Sequence, residues 1–300
     1  HYARLSRLRE KNSPFLRSPF LRDETFVRAF GDAFVIANFP NYAFAIHTGP
    51  VGRSYGHNNL PYGYGGGQLA VFWSRNSGAV WLTRRRGVPG AVYDSWAEWR
   101  TWPIHAVSGV TPAGALVTSA RIRQPAVERK LGRKKAVITV QGAMPVLEPA
   151  TKAEADSGYK YRRVFTADAG GIAVETTVTH STNAVAVTEL YETLPLFLRE
   201  HAAQTASVFK VQCAGQWQSA QPGQAFKGVE SIRTDRFGGA MEICFDRPCA
   251  VKFSPGWIDG FQTRAEVCTA LIDLLEPGAT TPGGARHIRY TIKQPPTATK

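Results

Sequence analysis

From Asp23 onward the chain reads in twos. Tyr159, Tyr161, Arg163 and Phe165 take one side of a run whose other side is Lys160, Arg162 and Val164. Ile172, Val174, Thr176 and Val178 alternate in the same way with Ala173, Glu175 and Thr177. A period of two puts successive side chains on opposite faces of an extended backbone, so both runs are predicted to be half-buried strands. Asp168-Ala169-Gly170-Gly171 lies between them and supplies the residues of a tight turn, which predicts a hairpin. Asn76-Ser77-Gly78 and Phe237-Gly238-Gly239 predict two more. About 15–17 strand-like runs follow one another with no helical crossovers between them. The fold class expected is therefore all-β, a large antiparallel β-sandwich, because so many strands must stack or close to bury one face. No internal repeat indicates a propeller.

Some segments break this rhythm. Residues 1–22 are basic and interrupted by Ser-Pro pairs at 13–14 and 18–19, and they read as an arm or linker, the remnant of an upstream domain. His1 in place of a methionine reads as a processing or truncation point. Residues 23–294 are expected to form one β domain and 295–300 a tail. Residues 49–67 and 85–102 read as long loops, and 125–135 and 144–157 as polar connections.

Composition narrows the function classes. A hydrophobic share of 43% with 20% charged residues describes a globular chain. No apolar run reaches the ~18 residues of a membrane span, and no signal peptide is visible. Thirty-six basic against 23 acidic residues give a formal charge of +13, which favours acidic partners. A nucleic-acid partner is the weaker choice, since no RRM, KH or zinc pattern accompanies the charge. Cys213, Cys244, Cys249 and Cys268 form no CxxC pair, so they read as buried thiols with room for one disulfide, and neither a metal nor another cofactor is called for.

Two constellations carry the candidate chemistry. The first runs from His47 through Arg53, Tyr55, His57, Asn58, Asn59, Tyr62 and Tyr64 to Gln68, with seven glycines that let backbone approach a ligand closely. The second contains Trp96, Glu98, Trp99, Arg100, Trp102 and His105, and five of the seven tryptophans lie between residues 73 and 102. Aromatic faces stack on sugar rings, and interleaved Arg and Glu bind hydroxyls or carboxylates. A third set is Glu189, Tyr191 and Glu192, with Glu189 and Tyr191 on one strand face.

The sandwich pattern, the GYGGGQLAVFW segment and the Y-x-R-x-F…GGI-x-V-x-T-x-V hairpin together resemble the β-supersandwich domain of heparinase II/III-type polysaccharide lyases and their chondroitin- and alginate-lyase relatives. His57-Asn58-Asn59 echoes their histidine-containing motif without the aspartate that often follows it. The resemblance implies an acidic polysaccharide or oligosaccharide as partner, β-elimination as the reaction and a secreted or periplasmic location. Elimination needs the uronate carboxylate neutralised, a base for the C5 proton and an acid for the leaving oxygen. Arg53, Asn58 and Asn59 suit the first role, His47 or His57 the second, and Tyr55, Tyr62 or Tyr64 the third. Trp96, Glu98, Trp99, Arg100, Trp102 and His105 would bind substrate. The alternative is a non-catalytic β-sandwich module that binds glycan or supports a catalytic domain.

Overall fold

Alternation demands two faces, and the chain satisfies it with strands throughout. The computed structural model describes residues 24–49, 65–74, 78–82, 99–100, 104–148, 153–199, 207–236, 239–255, 257–258, 266–279 and 284–295. They contain nineteen strands, two more than the upper expectation. In chain order these are β1 (Phe26–Phe30), β2 (Phe34–Asn38), β3 (Tyr42–His47), β4 (Gln68–Ser74), β5 (Gly78–Leu82), β6 (Ala106–Val110), β7 (Leu116–Thr118), β8 (Ala126–Leu131), β9 (Ala136–Leu147) and β10 (Glu154–Asp168). There follow β11 (Gly171–His180), β12 (Glu189–Arg199), β13 (Val208–Cys213), β14 (Gln216–Ala220), β15 (Ala225–Arg236), β16 (Gly239–Phe253), β17 (Trp257–Ile258), β18 (Glu266–Asp273) and β19 (Arg286–Lys293). Among the described residues, no helix is long and apolar enough to cross a membrane.

Every observed pairing is antiparallel. One run of neighbours is β14–β13–β15–β16–β19–β11–β10–β9–β8. The other is β1–β2–β3–β4–β5–β12–β18–β17. Two seams join them. β16 pairs β18 through Val251–Phe253, and β12 reaches β9 by way of β6 and β7. The pairings thereby close a circuit around one large apolar core, to which residues of both runs contribute. Tyr42 of β3 crosses that core, and its hydroxyl reaches the carbonyls of Asp168 and Gly171 at the β10–β11 turn.

The predicted hairpin is present with its predicted faces. Tyr159 pairs with His180 and Asp168 with Gly171, and Ser157, Tyr159, Tyr161, Arg163, Phe165 and Ala167 all point into the core. Hairpin pairing also brings Ser74 to Gly78 and Arg236 to Gly239, as the two other glycine turns imply.

Three expectations need correction. The polar connection at 125–135 is largely strand β8, whose residues alternate exposed and half-buried. The connection at 144–157 is largely the ends of β9 and β10. The sequence predicts separate strand runs at 238–246 and 249–254 on either side of Pro248, but they are one strand, β16, with a register jump against β15 between the pairs Val229↔Cys249 and Ser231↔Cys244. Proline lacks a ladder N–H and is tolerated at such bulges.

Two glycines of the 65–67 run are dictated by packing. Gly66 and Gly67 have φ of 65° and 72°, and a Cβ on them would stand 2.2 Å from the Ser119 carbonyl oxygen and 2.6 Å from Val140. Only glycine combines that backbone with that proximity.

Candidate functional site

Strand β12 separates two kinds of chemistry because its side chains alternate. Glu192 points inward and Glu189 and Tyr191 point outward, so the third sequence constellation is split between core and surface.

Inside, Glu192 Oε1 accepts from Arg163 Nη2 at 2.6 Å, from the Tyr290 hydroxyl at 2.8 Å and from Thr176 Oγ1 at 3.3 Å. His105 Nδ1 accepts the Leu69 N–H at 2.9 Å, so the neutral ring carries its proton on Nε2, which faces Glu192 Oε1 at 3.1 Å and the Tyr290 oxygen at 2.7 Å. Arg163 also donates to the Gly67 and His105 carbonyls and to Thr176. Burial alone would raise Glu192, but Arg163, His105 and Tyr290 outweigh it and hold the carboxyl below its ordinary value. Burial, helped by Arg163, lowers His105 to about 4. Glu192 Oε2 has no partner among the described residues. Arg163, Glu192 and His105 are all 0% exposed, so this cluster ties strands together and touches no ligand in this conformation.

Outside, Tyr191 stands opposite Asp273 of β18 and beside Trp99, whose ring centroid lies 6.0 Å away. The Arg100 guanidinium covers Trp99 at 4.8 Å and donates to Glu189 Oε2 from Nε at 2.7 Å and Nη2 at 2.6 Å. Burial raises the Tyr191 phenol above its ordinary value, Glu189 and Asp273 add to this, and Arg100 opposes it. The phenol therefore stays protonated and can donate. Tyr191 also lines a cleft of about 270 Å³ with Phe226, Lys227, Lys252, Leu271 and Asp273. The cleft offers the Tyr191 ring, two ammonium groups and one carboxylate within one concave surface, while Phe226 packs edge-on against Phe253 of the core.

The sequence candidates are distributed as follows. Trp99 and Arg100 come together with Tyr191, but Trp99 is 2% exposed and serves as the floor under Arg100 and Tyr191 rather than as a free stacking face. His105 belongs to the core cluster. His47, at the end of β3, packs edge-on against Phe34, and burial lowers it to about 4, so it is neutral near pH 7. Arg53, Tyr55, His57, Asn58, Asn59, Tyr62, Tyr64, Trp96, Glu98 and Trp102 lie outside the described residues. The anchors of the two loops do meet: His47 pairs with Gln68, Leu82 with Val71, and His105 bonds Leu69. Lys227, Lys252, Phe226 and Asp273 were missed. They come from three strands, β15, β16 and β18, and no local spacing joins them.

No family model matches the chain, and no curated protein matches it significantly. Solved structures similar to it include a 4-alpha-glucanotransferase from Thermococcus litoralis, at 10% identity over 92% of this chain and 40% of that one, with a TM-score of 0.49. A xanthan lyase from Paenibacillus matches at 11% identity over 93% and 26%, also at 0.49. A TPR-domain containing protein from Parabacteroides distasonis matches at 8% over 87% and 46%, again at 0.49. The chain thus spans less than half the length of each, and the first two of these neighbours are carbohydrate-active enzymes.

Proposed function

We propose that this chain is the β domain of a carbohydrate-active protein that holds an acidic polysaccharide at the outer face of β12 and β18. The observation that carries this reading is the composition of the Tyr191 cleft. Tyr191 presents aromatic surface, Lys227 and Lys252 present cations to a sugar carboxylate, and Asp273 presents an acceptor to hydroxyls. The formal charge of +13 favours the same ligand class.

The reaction we assign is β-elimination on a uronate. A base takes the C5 proton, the C4–O bond breaks as the C4=C5 double bond forms, and an acid protonates the departing oxygen. A protonated Tyr191 suits the last role. The base is assigned to His57 and the neutralising donors to Arg53, Asn58 and Asn59, which lie outside the described residues. The reading as a non-catalytic module is favoured by one observation: His47, the described base candidate, is 7% exposed.

Incubating the chain with alginate, pectate and heparin, while following the ultraviolet absorbance of the unsaturated uronate, tests the assignment. Binding with product formation supports elimination. Binding without product leaves the module, and no binding to any polyuronate overturns both.

A further inference from the structure

A second cleft, of about 510 Å³, opens where the β1–β2 turn, the end of β3 and the start of β8 meet. Arg129 of β8 reaches across this junction. Its Nη1 donates to the Gly31 carbonyl at 3.2 Å, and its Nη2 donates to the Asp32 carbonyl at 2.6 Å and to Thr48 Oγ1 at 2.7 Å. These three acceptors are neutral, so they fix the guanidinium in place without cancelling its charge. The Asp32 carboxylate is 3.6 Å from Nη1, but its side chain is fully exposed, where water screens such a pair. Arg123 also lines the cleft, and its side chain is 65% exposed. Its Nε donates to Glu154 Oε2 at 2.7 Å, while the other oxygen of Glu154 accepts from Arg121 at 2.6 Å. One carboxylate is therefore shared between two guanidinium groups.

Elsewhere among the described residues, cations meet carboxylates at close range. On the outer face of β15, β16 and β19, Arg233 meets Asp235 at 2.8 Å, Lys293 meets Glu242 at 3.6 Å and Arg289 meets Asp246 at 3.5 Å. Asp235 is shared there as well, with Lys210 at 3.4 Å. In the cleft, among the described lining residues, two arginines face a single exposed aspartate, and the Thr48 hydroxyl and Gln124 amide stand beside them.

We propose that this cleft is an oxyanion site that takes a carboxylate or sulfate group, separate from the Tyr191 cleft. The Arg123 guanidinium, bonded to Glu154 through Nε, turns its two Nη groups to the paired oxygens of either group, while Arg129, whose Nη2 is taken up by Asp32 and Thr48, supplies fixed charge beside them. Arg129 is held before any ligand arrives, which reduces the ordering cost of binding. The site takes its oxyanion from a saccharide or from a free inorganic ion, and sodium glucuronate and sodium sulfate distinguish these sources.

The test is titration of the whole chain with each salt, against sodium chloride at matched ionic strength, followed by the backbone amide resonances of Thr48, Gly49, Gln124 and Val127. Saturable shifts with glucuronate, absent with chloride, are the expected result for a saccharide site, and saturation by sulfate alone assigns a sulfate or inorganic oxyanion. Arg123→Gln should weaken the saturation roughly tenfold, the loss of one charge-assisted hydrogen bond. Arg129 stays unaltered in that variant because it ties three segments together. Lys227→Gln with Lys252→Gln should leave these shifts in place, which separates this site from the proposed polysaccharide cleft. Shifts that track chloride, or an Arg123→Gln titration identical to the wild type, would overturn the proposal.

Discussion

Arg163 Nη2 lies 2.6 Å from Glu192 Oε1, and neither side chain reaches solvent. Each charge was taken out of water at a cost of several kcal/mol, and only the other charge and the surrounding hydrogen bonds offset it. Removing one partner leaves the other stranded. Glu192→Ala is expected to destabilise the chain by roughly 3–5 kcal/mol in denaturant unfolding, and the double variant Arg163→Met with Glu192→Leu by much less. Equal losses for the single and double variants would show that the pair is not coupled.

Acid should unfold the chain earlier than its carboxylates alone require. His105 and His47 titrate at about 4 in the fold, against an ordinary value of 6.5. Between those values the unfolded chain binds more protons than the folded one, so stability is fully present above pH ~6.5 and is lost as pH falls toward 4. The shifts correspond to roughly 3 kcal/mol for each histidine. Glu192 adds a loss further down, through its lowered folded value. Denaturant midpoints measured from pH 7 to pH 4 should fall steeply, and His47→Gln should flatten the curve. A flat profile in the wild type contradicts the buried neutral rings.

Gly66→Ala should cost about 3 kcal/mol or more, because a left-handed backbone and a Cβ 2.2 Å from the Ser119 oxygen act together. Gly114 also has a positive φ, 81°, but open space around it, so Gly114→Ala should cost only about 1–2 kcal/mol. Thermal unfolding of the two variants side by side checks the difference.

Polyuronate binding should weaken steeply with salt, since the attraction to Lys227 and Lys252 is screened over ~8–10 Å. Isothermal titrations at low and physiological salt read this directly. An affinity independent of salt would assign binding to stacking and hydrogen bonds instead.

The core hairpin was legible because both of its faces are decided by burial. Tyr159, Tyr161, Arg163 and Phe165 alternate with charged neighbours, and even the buried arginine kept its place in the pattern. Strands β8 and β14 were not legible for the opposite reason. They lie at the two edges of one run, β8 beside β9 alone and β14 beside β13 alone, and bury too little to demand apolar side chains at every second position. Charged and polar side chains at an edge also discourage pairing with other chains. The candidate site was half legible. Glu189 and Tyr191 were placed on one face by period two, and Trp99 with Arg100 stood out as an aromatic and basic pair. What joins them to Asp273 is a register between β12 and β18, strands separated by dozens of residues, and no local pattern encodes such a register.

Polysaccharide binding by this chain centres on the cleft at Tyr191 in the proposed function. The decisive measurement is titration calorimetry of the whole chain with a polyuronate oligosaccharide and with a neutral glucan oligosaccharide of equal length, in the wild type and in Tyr191→Ala. The polyuronate should bind and the glucan should not, and Tyr191→Ala should weaken polyuronate binding roughly tenfold or more, the loss of one stacking contact. Equal binding of both oligosaccharides, or unchanged polyuronate affinity in the folded Tyr191→Ala variant, would contradict the proposed function.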